Sequence, residues 1–159
     1  MEEVLPPQTM HGAGFEPPRV RQFTVFLENR VGRLVSLVRA LEAGSGKVVA
    51  LSIEESADTA LVRLICSDPD DSKEVLKASD FSFSESELLV VELPKNARQP
   101  LIDICSAMLS AEINIHYCYP LMLHVGGPSL ALYVDDPTLA ARLLIRKGFD
   151  LIGESDLKK

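Results

Sequence analysis

Asn29, Gly32 and the helical pattern that opens just behind them are the residues of this chain whose types and spacing could do chemistry. The segment Asn29-Arg30-Val31-Gly32-Arg33-Leu34 joins an alternating apolar stretch to an amphipathic one. A glycine at that corner lets a small molecule approach the main chain where a Cβ would obstruct it. The helix that follows must begin with unpaired N–H groups and the positive end of its dipole, which together receive a carboxylate. The Asn29 carboxamide can accept from an ammonium and donate to a carboxylate. A molecule carrying both groups is an α-amino acid. The same residues also make an ordinary tight strand-to-helix turn, so the elements around them have to decide.

The chain has 159 residues, 47% of them hydrophobic and 25% charged, which describes a globular protein of one ordinary domain or two small ones. A net charge of -7 argues against nucleic-acid or anionic-membrane partners, which call for clustered Lys and Arg. No apolar run approaches the roughly 20 residues of a membrane span, and the start of the chain has no secretory pattern. Cys66, Cys105 and Cys118 form an odd, unpatterned set, so a disulfide framework is not expected and a cytoplasmic location is.

Residues 1–18 hold four prolines and two glycines without apolar period and read as a flexible tail. Beyond them, Arg19 to Leu27 alternates as a strand. Leu34, Leu37, Val38 and Leu41 recur at helical spacing up to Gly44. Lys47 to Glu54 and Thr59 to Ser67 read as two strands, and Pro69 opens a helix capped by Asp68. Phe81 to Ser84 suits a short strand. The order then repeats. Asn29 and Asn96 stand 67 apart, as do Leu34 and Leu101, and Ala40 and Ala107, while Pro69 and Pro137, and Leu76 and Leu144, stand 68 apart. In that register Glu87 to Leu93 is a strand, Gln99 to Ala111 a helix and Ile113 to His124 a long strand. Ser129 to Asp135 is a strand, Pro137 to Lys147 a helix and Phe149 to Ile152 a strand.

Matching letters together with matching element order mark a duplication. The expected fold is α+β, two ferredoxin-like βαββαβ units over 19–85 and 86–159, each a four-stranded antiparallel sheet with helices on one face. Ser84-Glu85-Ser86 would be the linker. The strands are apolar on both faces, where a sheet covered on one side should alternate. Their second faces must therefore meet another sheet, in the same chain or a partner, and a homodimer at least is expected.

The tandem pattern and the Asn-x-x-Gly-x-Leu loop resemble the ACT domain, a small regulatory module, over residues 20 to 157. Phe26-Leu27-Glu28-Asn29 and Ser155-Asp156-Leu157 resemble the ends of stand-alone proteins built of two such units. The resemblance implies a non-catalytic regulatory protein that binds a free amino acid between units and transmits its level by conformational or assembly change. It implies binding by Asn29, Arg30, Val31, Gly32, Arg33 and Leu34, with Asn114 and Tyr117 of the second repeat facing that loop. Alternatives are an assembly module without ligand, or a separate regulatory subunit of an amino-acid-metabolism enzyme. The second loop departs from the pattern, because Gln99 stands where glycine belongs and Pro100 removes an N–H. One site per chain is expected.

Other signals carry less. His116, Cys118 and His124 share a strand face, but His124 lies six residues past Cys118, roughly 20 Å along a strand, and zinc needs three or four convergent ligands. Gly44-Ser45-Gly46-Lys47 lacks phosphate-loop spacing and follows a helix, as a C-cap does. No nucleophile elbow or His-Glu-x-x-His motif is present. No cofactor, metal or catalytic residue is expected.

Overall fold

A computed structural model describes residues 16–122 and 126–158. The strands are β1 (Val20–Glu28), β2 (Val48–Glu55), β3 (Thr59–Cys66), β4 (Ser82–Glu92), β5 (Ile115–Pro120), β6 (Ser129–Val134) and β7 (Asp150–Ile152). The helices are α1 (Arg33–Glu42), α2 (Pro69–Ala78), α3 (Pro100–Ser110), α4 (Pro137–Arg146) and α5 (Glu154–Leu157). Every pairing is antiparallel, and the duplicated ferredoxin-like order is present. The tail expected over 1–18 falls almost wholly outside the described residues, and 16–18 carry no regular secondary structure.

Two boundaries differ from the sequence reading. The short strand at Phe81 and the strand at Glu87 are one strand, β4, and Ser84-Glu85-Ser86 lies inside it. Ser84, Glu85 and Ser86 pair with Thr24, Phe23 and Gln22 of β1, while Leu89 to Glu92 pair with β6 and Val90 to Glu92 with β7. The sheet order is β2-β3-β1-β4-β6-β5, with β7 also on β4. The long strand expected from Ile113 to His124 is shorter. It ends at Pro120, after which Leu121 N–H donates to the Ser129 carbonyl at 3.0 Å and Met122 N–H to the Val49 carbonyl at 2.7 Å. The remainder, Leu123 and His124, lies outside the described residues.

Because β4 serves both sheets, their helix-free faces close on each other within one chain. Three apolar clusters result. Phe23, Val25, Leu27, Leu37, Leu41, Val62, Leu64 and Leu76 fill the space between the first sheet and its helices. Leu89, Val91, Ile104, Ala107, Met108, Leu132 and Leu144 do the same in the second unit. Val20, Val49, Ala50, Ile65, Leu88, Val90, Tyr119, Leu121, Ala131 and Ile152 form the layer between the sheets. A bulge between Val48 and Ala50 turns Val49 and Ala50 to that central layer while Val48 stays on the helix side. The apolar second face of the strands is thus accounted for within the chain.

Gln22, fully buried in this layer, is paired at both ends of its amide. The Tyr119 hydroxyl donates to Oε1 at 2.6 Å, and Nε2 donates to Tyr117 Oη at 2.7 Å and Ser86 Oγ at 3.0 Å. Burial pushes the Tyr119 phenol up, so it stays a donor. Tyr117 stacks on Tyr133 at 4.9 Å between centroids, and the Arg63 guanidinium caps its other side 3.9 Å from the ring centroid.

A clamp that the sequence reading missed ties the end of the chain to β1. Arg21 donates from Nε to Glu154 Oε1 at 2.8 Å and from a terminal nitrogen to Oε2 at 3.0 Å, and its backbone N–H also reaches Oε1 at 3.0 Å. The other terminal nitrogen meets Asp70 at 2.8 Å, with Glu85 at 3.8 Å. Hydrogen bonds from Arg21 hold the Glu154 carboxyl below the usual carboxylate range, and Asp70 is lowered by the same cation. Carboxylates depressed in the folded state stabilise it above their unfolded pKa and lose that contribution as pH falls through the folded value. Glu154→Gln should therefore cost about 1 to 3 kcal/mol near neutral pH. Its melting-temperature deficit should shrink steadily once pH drops below roughly 4.3. Thermal denaturation over a pH series checks this, and a deficit constant down to strongly acid pH would contradict it.

Candidate functional site

At the end of β1 the chain leaves the sheet and reverses into α1. Arg30 N–H donates back to the Glu28 carbonyl at 2.7 Å, and Arg33 N–H to the Arg30 carbonyl at 3.3 Å. Gly32 is the residue before the helix, with φ 90 and ψ -13, a left-handed conformation that L side chains rarely adopt. A Cβ placed there meets nothing within 4 Å. The glycine is therefore required by backbone conformation, and the space in front of it is open.

The four major helices start in two ways. α2 and α4 are closed by their own side chains, Asp68 accepting from Asp71 N–H at 3.2 Å and Asp136 from Leu139 N–H at 3.1 Å. α1 and α3, which follow the two repeated loops, have no side-chain cap. Gly32 offers no side chain, and the N–H groups of Leu34 and Val35 have no protein acceptor among the described residues. No acidic residue occupies the first turn of α1. This helix start is left with donors and a positive end to offer.

Beside it lies a groove of about 200 Å³ lined by Leu27, Glu28, Asn29, Arg30, Arg33, Leu34, Ile53, Glu55, Ala60 and Val62. Its floor is apolar and its rim carries both signs of charge. Asn29 Nδ2 donates to Glu55 Oε1 at 2.9 Å, and Arg30 pairs with Glu28 at 2.8 Å. The Arg33 guanidinium sits 4.9 Å from the Phe81 ring centroid, while Val31 points fully into solvent. The sequence pattern gives Glu28, Ile53 and Glu55 no part in the site. Ile53 and Glu55 reach the loop only because β2 pairs with β3, which pairs with β1, a topology that the ferredoxin-like order implies but letter spacing does not display.

Asn114 and Tyr117 are not at this groove within one chain. Asn29 follows the side of β1 that faces the helices, whereas Tyr117 touches Gln22 and Arg63 on the helix-free side. Its hydroxyl and both ring faces are already engaged in the layer between the sheets. Asn114 is exposed at the start of β5; its N–H donates to Asp135 at 3.2 Å and its carboxamide lies 3.4 Å from the His116 ring. In the second loop Gln99 has φ -140, so that corner turns without a left-handed residue. His116 and Cys118 are both exposed on β5, and among the described residues no three metal-ligating side chains cluster.

A family model for the ACT domain pair matches residues 19–159. The chain belongs to that family. Among solved structures, this ACT domain pair superposes on protein BT0572 from Bacteroides thetaiotaomicron with a TM-score of 0.80 and 26% identity, over 90% of this chain and 98% of the other. The ligand-free regulatory subunit of aspartate kinase from Thermus thermophilus matches with a TM-score of 0.52 and 10% identity, over 82% and 93% of the two chains. Aspartokinase α and β subunits match at 0.53 and 14%, over 84% and 94%. At those last two identities the likeness is one of fold. No curated protein matches the sequence. No helix among the described residues is long and apolar enough to cross a membrane.

The left-handed turn yields a paired test. Gly148, with φ 90, closes α4 as Gly32 opens α1, and a Cβ added at either position would meet nothing within 4 Å. Gly32→Ala and Gly148→Ala should each cost about 1 to 2 kcal/mol, read as comparable drops in denaturant midpoint. A neutral Gly32→Ala would show that the loop does not hold the left-handed turn.

Proposed function

We propose that this ACT domain pair is a non-catalytic regulatory protein that binds a small amino acid at the loop Asn29 to Leu34 and acts as a homodimer. The uncapped start of α1, open in front of Gly32 and beside a groove with an apolar floor, is the observation that carries the reading. The ligand carboxylate takes the free N–H groups of Leu34 and Val35, with the dipole and Arg33 adding to the attraction. Its ammonium takes Asn29 Oδ1 and Glu55, and a short side chain rests on Leu27, Ile53 and Val62. A groove of about 200 Å³ suits a small amino acid.

Ligand binding at the corner between β1 and α1 favours whichever arrangement of the two copies completes the site, and so converts metabolite level into a change of assembly or conformation. The fold shared with an aspartate kinase regulatory subunit supports a second arm of this reading, in which the readout is contact with an enzyme of amino-acid metabolism.

A thermal-shift screen against the twenty amino acids tests it. One or a few should raise the melting temperature, by about 5 to 10 °C at a hundredfold excess over Kd, and Asn29→Ala should abolish most of the shift while Asn96→Ala leaves it. No response to any amino acid, or equal losses from the two substitutions, would contradict the proposal.

A further inference from the structure

The strand register sets a pattern in the floor of the groove beside the start of α1. Leu27 of β1, Ala60 of β3 and Glu55 of β2 stand in one cross-strand row, because Ala60 pairs with Leu27 on one side and with Glu55 on the other. Val62 pairs with Ile53 in the next row, on the same face of the sheet. Leu27 and Val62 are buried, Leu34 of α1 packs against them, and Ile53 is 48% exposed. Ala60 is the smallest side chain of this floor and sits in its middle. The floor therefore has a recess over Ala60, walled by Leu27, Leu34, Ile53 and Val62. Ile53 is an apolar wall left partly in water.

No polar side chain is spare to serve a ligand in that recess. Glu28 is held by Arg30 at 2.8 Å. Glu55 is committed to Asn29 at 2.9 Å and, in the binding proposed above, to the ligand ammonium. Arg33, the first residue of α1, belongs with the ligand carboxylate. With both polar groups of the ligand held at the rim, the remaining substituent on its α-carbon faces either water or the recess. An aliphatic substituent gains by entering, since it covers Ile53 and fills the space over Ala60. A hydroxyl, amide or charged group that entered would give up water and find no partner.

We infer that the recess over Ala60 makes the site selective for a branched aliphatic amino acid of the valine, leucine and isoleucine class, with Ala60 and Ile53 as the residues that set the selectivity. This rests on the proposed binding at the loop and names the class of its ligand. Ala60 sets the size, because any larger side chain there occupies the space that ligand methyl groups use. Ile53 sets the polarity, because it is the wall that water reaches until an apolar group covers it. A branched side chain touches several walls of the recess at once, and each added contact contributes. A methylene that fits such a recess is worth about tenfold or more in affinity, and a hydroxyl isostere is rejected by up to about a hundredfold.

Titration calorimetry on the full chain with valine, alanine, threonine, aspartate and lysine tests it. Valine should bind about tenfold or more tighter than alanine, and about tenfold to a hundredfold tighter than threonine, which has the same shape. Aspartate and lysine should bind more weakly than threonine. Ala60→Leu should abolish the advantage of valine over alanine while alanine keeps most of its affinity. Ile53→Ser, at a position already open to water, should shrink the advantage of valine over threonine. Both readouts are ratios within one variant, so a general loss of stability, which weakens every ligand alike, does not imitate them. Equal binding of valine and threonine, a preference for a polar or charged amino acid, or an Ala60→Leu variant that still prefers valine to alanine would overturn the aliphatic class and leave the loop site standing. No binding of any amino acid would overturn the loop site, and this class with it.

Discussion

Closure of the two helix-free sheet faces on one another is the constraint from which the rest of this molecule follows. Each unit alone would expose a face of Val, Ile, Leu and Tyr to water. Folding β4 from one sheet into the other buries both in a single operation. With roughly 25 cal/mol per Å² of apolar surface removed, a layer built on Val20, Val49, Ile65, Leu88, Val90, Tyr119, Leu121 and Ile152 outweighs any single polar contact in the structure. The polar content of that layer is specific: Gln22 accepts from Tyr119 and donates to Tyr117 and Ser86. An unpartnered amide there would cost about 1 to 3 kcal/mol, so the network disfavours any slip of one sheet over the other.

That closure decides what remains free. Tyr117, whose hydroxyl and ring are used in the central layer, cannot also serve the loop at Asn29. The loops themselves stay outside, at the ends of the sandwich, and the helices keep their outer surfaces. α2 and α4 are closed by Asp68 and Asp136, whereas α1 opens through a glycine with no cap. Within one duplicated fold the same element is thus finished in two ways, one self-sufficient and one that leaves donors for an outside group.

Much of the fold was legible because the elements are locally consistent. Pro69 and Pro137 open helices behind aspartate caps, Gly44 and Gly148 follow helix ends, and the 67-residue offset aligned the halves. What escaped was non-local. Ser84-Glu85-Ser86 looks like a linker by composition, yet its backbone is paired with β1 and Glu85 takes up Lys73 at 2.8 Å. A polar strand whose side chains work in ion pairs is indistinguishable from a tether by letter. The bulges at Val49 and His116 shift alternation by one residue, which strict period-two reading cannot register. In the loop, Asn29 and Gly32 were readable from type and spacing, but Glu55 and Ile53 enter through strand order, and Asn114 stands apart from them in a single chain.

In the proposed reading, free backbone N–H groups at the start of α1 receive the carboxylate of a small amino acid. Titrating nitrogen-15-labelled protein with the amino acid that gives a thermal shift, and following the backbone amides of Leu34 and Val35, tests it most directly. Both amide protons should move downfield, saturating together with the Asn29 side-chain amide, while those of Val90 and Leu132 in the interior stay in place. Saturable changes that spare Leu34 and Val35, or that centre on Tyr117 and Arg63, would contradict the account.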